Sequence, residues 1–323
     1  MLRPYSSRIA SAGVVTLVCF LALLHCQTKP QKTVEDLEAE QKKQNLAEAL
    51  NEADIGRNMA GRLLKLYGTV DNEALVRYVN EVGLYVAQYS DTPNRHYMFE
   101  VYPSETVNAF ACPGGYILVS SGTLHTASNE AELAHILGHE VAHVAKQHMY
   151  KTLNTMNKDQ IDKAAAELSL QKETPNEVLV RRRPEADESA IGSTLARYLS
   201  GSSVGLNAIK AAKAGLSVIL ERGLGAELEV EADLEGTRYA VNAGYDPKAF
   251  VAFLCRMEIN RGRTPDYCLK GGSAPSPKTL SILDKTHPPV PDRVQHIAQL
   301  LSEIDADKIV GAKGKGRFRK LMP

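Results

Sequence analysis

The sequence predicts a mainly helical α+β domain with one small sheet exposed at an edge. Three observations carry that reading. Apolar residues recur at helical spacing in several segments, whereas only two short stretches read as strands. Those two stretches flank Pro113-Gly114-Gly115, a tight bend suited to a sheet edge. The chain has 323 residues and is 44% hydrophobic and 24% charged, enough to bury a sizeable core. Lys+Arg and Asp+Glu balance at 38 each, which excludes a general nucleic-acid binder.

The first 26 residues are a targeting segment and stand outside the fold. Arg3 and Arg8 precede an uncharged apolar run from Ile9 to Leu24, short of the ~20 residues a spanning helix needs. Leu23-Leu24-His25-Cys26 resembles a lipobox, with Cys26 as the lipidated residue, although His25 stands where a small residue is usual. An uncleaved anchor and an ordinary signal peptide are the alternatives. All three put the body of the chain outside the cytoplasm, in the periplasm and attached to a membrane in the first two cases.

Residues 27–52 read as a charged tether with some helix. Helices are expected over Ile55 to Tyr67, stopped by Gly68, and over Glu73 to Tyr89, with Leu75, Val79, Val82 and Val86 on one face. Strands follow at Tyr97–Tyr102 and Tyr116–Ser120. Asn129 and Glu132 form a capping box for a helix from Glu130 to about Met149. Residues 151–190 look like a polar insertion containing Arg181-Arg182-Arg183-Pro184. Further helices are expected at Gly201–Leu224, Ala226–Ala243, Pro247 to about Asn260, and Asp292–Ile304. The domain proper is placed at 53–305. Residues 306–323 are a basic tail, expected to be solvated. In an oxidising compartment Cys255 and Cys268 can pair, leaving Cys112 free.

The chemistry lies in His139-Glu140-Val141-Ala142-His143. Four residues carry a helix about 400° round, so both imidazoles leave one face a turn apart. That spacing suits chelation of one Zn²⁺ per chain, with Glu140 beside a water at the metal. Gly138, in mid-helix, suggests close approach of another element. A third ligand is required. Glu227, Glu229, Glu231 and Asp233 offer carboxylates on a later helix, and chemistry alone does not choose among them. Glu229 as ligand, with Asp233 supporting His139 or His143, explains most.

Several motifs occur in order: Asn108-Ala109-Phe110-Ala111, Pro113-Gly114-Gly115, Leu137-Gly138-His139-Glu140 with His143 and His148, Glu229 to Asp233, Gly244-Tyr245-Asp246-Pro247, and Thr286-His287-Pro288. Over roughly residues 50–305 the chain resembles bacterial zinc metalloendopeptidases of the HtpX, BepA and LoiP type. These are relatives of the CaaX prenyl protease within the gluzincin group. The resemblance implies a gluzincin-type fold, Glu229 as third ligand, and His287 and Arg293 near the metal. In such relatives that His helps hold the oxyanion or plugs the open metal position. Departures are Cys112, His135 and the insertion after Met149. His135 reads as a polar helix residue. His148 points about 140° from His143 on a straight helix and is not taken as a ligand.

The expected activity is hydrolysis of unfolded or misfolded envelope polypeptides, with Glu140 as general base. Substrate would lie along Asn108, Ala109, Phe110 and Ala111 as an added strand. The implied partners are such polypeptides, the membrane, and possible envelope assembly machinery. A chaperone or assembly factor whose zinc site is plugged by His287 is the competing class. A hydrolase of non-peptide substrates is a third, and a prenyl-protease role is disfavoured by the lack of long apolar runs.

Overall fold

In the computed structural model of the chain, residues 33–170, 206–270 and 286–321 are described. The N-terminal segment with Cys26, and 171–190 of the insertion, lie outside the described residues. The chain divides into two compact units, Met1–Glu48 and Ala49–Pro323. In the first, residues 33–48 are exposed, and 34–48 are helical. Thr33 and Asp36 cap each other's backbone at its start, through Thr33 N to Asp36 Oδ2 at 3.0 Å and Asp36 N to Thr33 Oγ1 at 3.1 Å. This helix, α1, runs Val34–Tyr67, so helix replaces much of the expected tether. No described helix is long and apolar enough to cross a membrane.

The second unit holds the sheet and the remaining helices. Helix α2 (Glu73–Ala87) begins at Asn72, whose side chain accepts from Leu75 N. Strands β1 (Met98–Tyr102), β2 (Ala109–Cys112) and β3 (Tyr116–Ser120) form a sheet of order β1-β3-β2. β1 pairs parallel to β3, and β2 pairs antiparallel to it, with Phe110 opposite Leu118. β2 is not one of the two strands the sequence predicts, and it supplies the edge expected at Asn108–Ala111. Its four residues are too few to show an alternating pattern. The Pro-Gly-Gly bend closes the β2–β3 hairpin through Gly114 and Gly115, both at positive φ.

After α3 (Ser121–Thr126) comes α4 (Glu130–Ala145). Asn129 Oδ1 accepts from Glu132 N at 3.1 Å, as the capping box requires, but Glu132 returns to Ser128 N at 2.9 Å. α4 is buried along nearly its whole length. It ends four residues before the expected Met149, because Gln147 takes a left-handed conformation at φ 57°. Helix α5 (His148–Thr155) restarts there, followed by α6 (Lys158–Leu170) and α7 (Leu206–Ser217), which pack together. A π-helical turn at Val218–Arg222 leads to α8 (Ala226–Asn242), then α9 (Ala249–Asn260), α10 (Pro265–Lys270), α11 (Val290–Glu303) and α12 (Lys315–Leu321). Cys255 and Cys268 form a disulfide joining α9 to α10, and Cys112 is a buried free thiol.

The basic tail is not a solvated appendage. Ala312 bridges to Tyr245, Phe318 is buried in the core, and Arg317 clamps Glu130 by two hydrogen bonds of 2.7 Å. Tyr78 and Tyr245 also donate to that carboxylate. Burial opposes ionisation of Glu130, but Arg317 and the two phenols hold its pKa below the usual value. Charge count alone suggested solvation. The aromatic residue and the buried partner acid decided otherwise.

Helix α8 packs closely across α4. A Cβ on Gly236 would lie 2.5 Å from His139 N and 2.6 Å from Gly138 C, and one on Gly138 would lie 2.7 Å from Gly236 O. Backbone therefore meets backbone there. Gly236→Ala gains roughly 1 kcal/mol of helix propensity. That gain is outweighed by overpacking of about 1–3 kcal/mol, because the clashing atoms are backbone and cannot swing away. Chemical denaturation of the metal-free chain is expected to show a net loss of stability.

Candidate metal centre

The α4–α8 crossing and the loop before α11 together set four side chains around one point. His139 and His143 leave α4 one turn apart, with their Nε2 atoms 3.1 Å from each other. Glu229, on the first turn of α8, brings Oε2 to 3.5 Å from His139 Nε2 and Oε1 to 3.7 Å from His143 Nε2. His287, in the loop before α11, places Nε2 3.0 Å from Glu229 Oε2. One donor atom each from His139, Glu229 and His287 lies within 4.8 Å of the others.

These residues fit a cation. Glu229 Oε2 is buried without a hydrogen-bond donor. Leaving an anionic oxygen so placed is costly unless a cation is drawn to it. For Zn²⁺ with ligands at 2.0–2.1 Å, the edge of a tetrahedron is about 3.3 Å. Observed separations of 3.0–3.7 Å bracket that edge. Mixed imidazole and carboxylate donors suit Zn²⁺ better than Mg²⁺ or Ca²⁺.

The surrounding groups tune the cluster. Asp233, one turn beyond Glu229, brings Oδ1 to 2.8 Å from His139 Nδ1, so of the two open partners it serves His139. Arg293 donates from Nε and Nη2 to Asp233 at 2.7 and 2.6 Å. That engages two of the donors an oxyanion role would draw on. Burial would lower the His139 pKa, but Asp233 and Glu229 raise it to about 10. Burial lowers His287 to about 4, so its imidazole is neutral at pH 7. Burial is opposed at Glu229 by His287, His143 and His139, which hold its carboxyl well below the usual range. At Glu140 burial prevails and pushes the pKa up.

Two cleft lobes, of about 410 and 400 Å³, share Asn108, Ala109, Glu140 and His287 in their linings. The first is apolar, with Ile136, Phe250, Phe253, Leu254 and Met257. The second includes Phe110, Ala111, Ile219 and Leu224. β2 edges both lobes. Ser120 N donates to Asn108 O, so antiparallel alternation turns Ala109 and Ala111 backbone groups away from β3. The Ala109 N–H is taken by Asn108 Oδ1 at 2.9 Å.

One family model, Peptidase family M48, matches residues 73–301. The chain belongs to peptidase family M48. Among similar proteins are the Beta-barrel assembly-enhancing protease of Escherichia coli K12, 23% identical over 58% of this chain, and that of Yersinia pestis, 25% identical over 57%. The mitochondrial metalloendopeptidase OMA1 of Danio rerio is 25% identical over 72%. The chain spans only 34%, 32% and 40% of their respective lengths. For an M48 chain, the metallopeptidase motif thus sits on the helix that the structure buries most deeply.

Three features of this M48 site were not read from sequence. His148 turns back to His143, Thr286 Oγ1 lies 2.9 Å from His287 Nδ1, and His135 is buried against Phe250 with Nε2 2.9 Å from Asp246 O. The first depends on a helix break that nothing in the local sequence signals. The last corrects the reading of His135 as an ordinary polar helix residue.

Metal binding requires a neutral His139, whose proton the carboxylates otherwise retain. Adding Zn²⁺ to the metal-free chain at pH 7 is expected to release about one proton, measurable in weakly buffered solution. Apparent affinity is expected to rise as pH increases toward about 10, the His139 value, and to fall on acidification.

Proposed function

We propose that the chain is a zinc-dependent endopeptidase acting on unfolded or misfolded polypeptides of the bacterial envelope. The observation that carries this is the placement of Glu140. Its carboxylate lines both cleft lobes, between the His139–His143–Glu229 cluster and the outward edge of β2. A base there reaches a peptide bond laid along the strand. Membership of family M48 and the names of the E. coli and Yersinia relatives support the same role. Attachment to a membrane, through Cys26 or an uncleaved anchor, extends the sequence reading.

His139, His143 and Glu229 would hold Zn²⁺, which when bound acts as a Lewis acid on the scissile carbonyl and favours deprotonation of the attacking water. Glu140 accepts that proton and delivers it to the departing amine nitrogen. Burial raises its pKa above the usual carboxyl value, which makes it a better proton acceptor than an exposed carboxylate. Asp233, itself braced by Arg293, fixes the His139 ring and tautomer. The Ala109 carbonyl and the Ala111 backbone groups offer partners to an extended substrate, while Asn108 Oδ1 occupies the Ala109 N–H. The apolar lobe accepts one large side chain beside the bond.

A second reading is favoured by His287. At 3.0 Å from Glu229 Oε2, its neutral ring occupies the fourth side of the cluster. There it acts as a plug, and the chain as an assembly factor that rarely cleaves. Displaced, the same ring can donate to the oxyanion.

Cleavage of casein by the zinc-loaded full chain is expected to disappear on chelation and to fall by about 10²–10⁴ in Glu140→Gln. Cleavage that survives in that variant refutes the assigned base. In His287→Ala, a rise in kcat/KM marks the plug, and a fall of about 10²–10³ marks an oxyanion donor.

A further inference from the structure

The two α4 histidines differ in what holds their second nitrogen. His139 Nδ1 faces a carboxylate, Asp233. His143 Nδ1 faces another imidazole, with His148 Nδ1 2.9 Å away and the rings nearly perpendicular at 79°. His148 is 1% exposed, and its remaining nitrogen, Nε2, lies 3.3 Å from Glu231 Oε2. The chain thus runs Glu231, His148, His143, cluster.

This arrangement exists because α4 breaks. On a continuous helix five residues rotate a side chain by about 500°, which leaves His148 some 140° from His143. The left-handed Gln147 reverses that turn, and its Nε2 donates to the buried Glu52 Oε2 at 2.6 Å. Glu52 also accepts from Gly114 N at 3.1 Å, tying the break to the β2–β3 bend. A non-glycine residue at positive φ is strained, so the surroundings hold the break against a cost.

The protons can be placed without conflict. His143 must offer a lone pair at Nε2 toward His139 and Glu229, so its one proton resides on Nδ1. That N–H donates to the Nδ1 lone pair of His148. The His148 proton then sits on Nε2, which lies 3.3 Å from Glu231 Oε2 without meeting it in hydrogen-bond geometry. The tautomer of His143 follows from that of His148.

We propose that His148, backed by Glu231, is a positioning residue that fixes the ring and tautomer of His143 for metal binding. It performs at His143 what Asp233 performs at His139, with a neutral acceptor in place of an anionic one. This rests on the metal-centre reading given above.

The test uses the full chain and reads zinc affinity by competition with a fluorescent chelator. The visible absorption of the Co²⁺-substituted protein and the melting temperature of the metal-free protein accompany it. His148→Ala is expected to weaken zinc about 10–100-fold and to alter the cobalt spectrum. His148→Asn, whose amide oxygen can accept where Nδ1 does, is expected to restore most of the affinity. Glu231→Gln, at a half-exposed position that should not disturb folding, is expected to lose affinity by a smaller factor. Unchanged affinity and cobalt spectrum in His148→Ala, with only a lowered metal-free melting temperature, would make His148 a packing residue and overturn the proposal. An affinity loss that His148→Asn does not recover would overturn it too. If His148→Ala does not fold, the Asn and Gln variants decide, and zinc affinity lost in Asn or unchanged in Gln overturns it. Failure of the parent chain to bind either metal would refute the metal centre itself, and is distinct from these outcomes.

Discussion

The contact between backbones at Gly138 and Gly236 is the constraint on which the site depends. Glu229 and Asp233 lie on α8 and face His139 and His143 on α4, so the distance between the helices sets how far each carboxylate stands from its imidazole. Side chains larger than hydrogen at the crossing would hold the helices apart. A carboxylate reaching from α8 would then fall short of Nε2 of His139, now 3.5 Å away. Backbone meeting backbone is also stiff, since neither partner has a rotamer to give. The mid-helix glycines cost about 1 kcal/mol each in propensity. The cost is offset by a cluster whose geometry does not drift.

Burying so many ionisable groups demands that each find a partner. The structure meets that demand in layers. Arg293 neutralises Asp233, Asp233 holds His139, and His139 faces Glu229. The far end of α4 is managed in the same way, with Arg317, Tyr78 and Tyr245 gathered on Glu130. Glu132 is held by Arg256 from α9. Acids in the first turn are favoured by the helix dipole, and their basic partners come from α9 and α12. Thus the helix that carries His139 and His143 is pinned by ion pairs at its start, by the glycine crossing in its middle, and by the Gln147 break at its end.

Much of this was legible because it is local. The His139–His143 spacing, the Asn129 cap and the Gly138 warning are each contained within a turn or two of helix, where periodicity fixes direction. Cys255 and Cys268 were legible from compartment and separation. What could not be read depends on partners distant in sequence. β2 exists because β3 pairs with it, and its four residues carry little signal of their own. The break at Gln147 is stabilised by Glu52, 95 positions earlier. Without it, His148 was assigned to the wrong face. The tail was read from its charge, yet Phe318 and Arg317 dock through a pocket built by α2 and α4.

The position of His287 shapes what kind of substrate the cleft can favour. Thr286 holds one ring nitrogen while the other rests by Glu229. A Cβ on Gly223 would lie 2.3 Å from Thr286 O, so the loop before α8 packs directly on this turn. Under the plugged reading proposed above, a substrate would displace the ring, and its apparent affinity would be scaled down to the fraction of molecules in which the ring has moved. Each backbone hydrogen bond to β2 returns only about 1 kcal/mol. Several such bonds, together with an apolar side chain in the lobe beside Phe253 and Met257, are needed to offset the displacement. A short peptide cannot supply them, and a folded protein cannot present them. On the proposed peptidase reading, a long, extended, apolar segment would do both, and His287 in its present position would then select for unfolded chains.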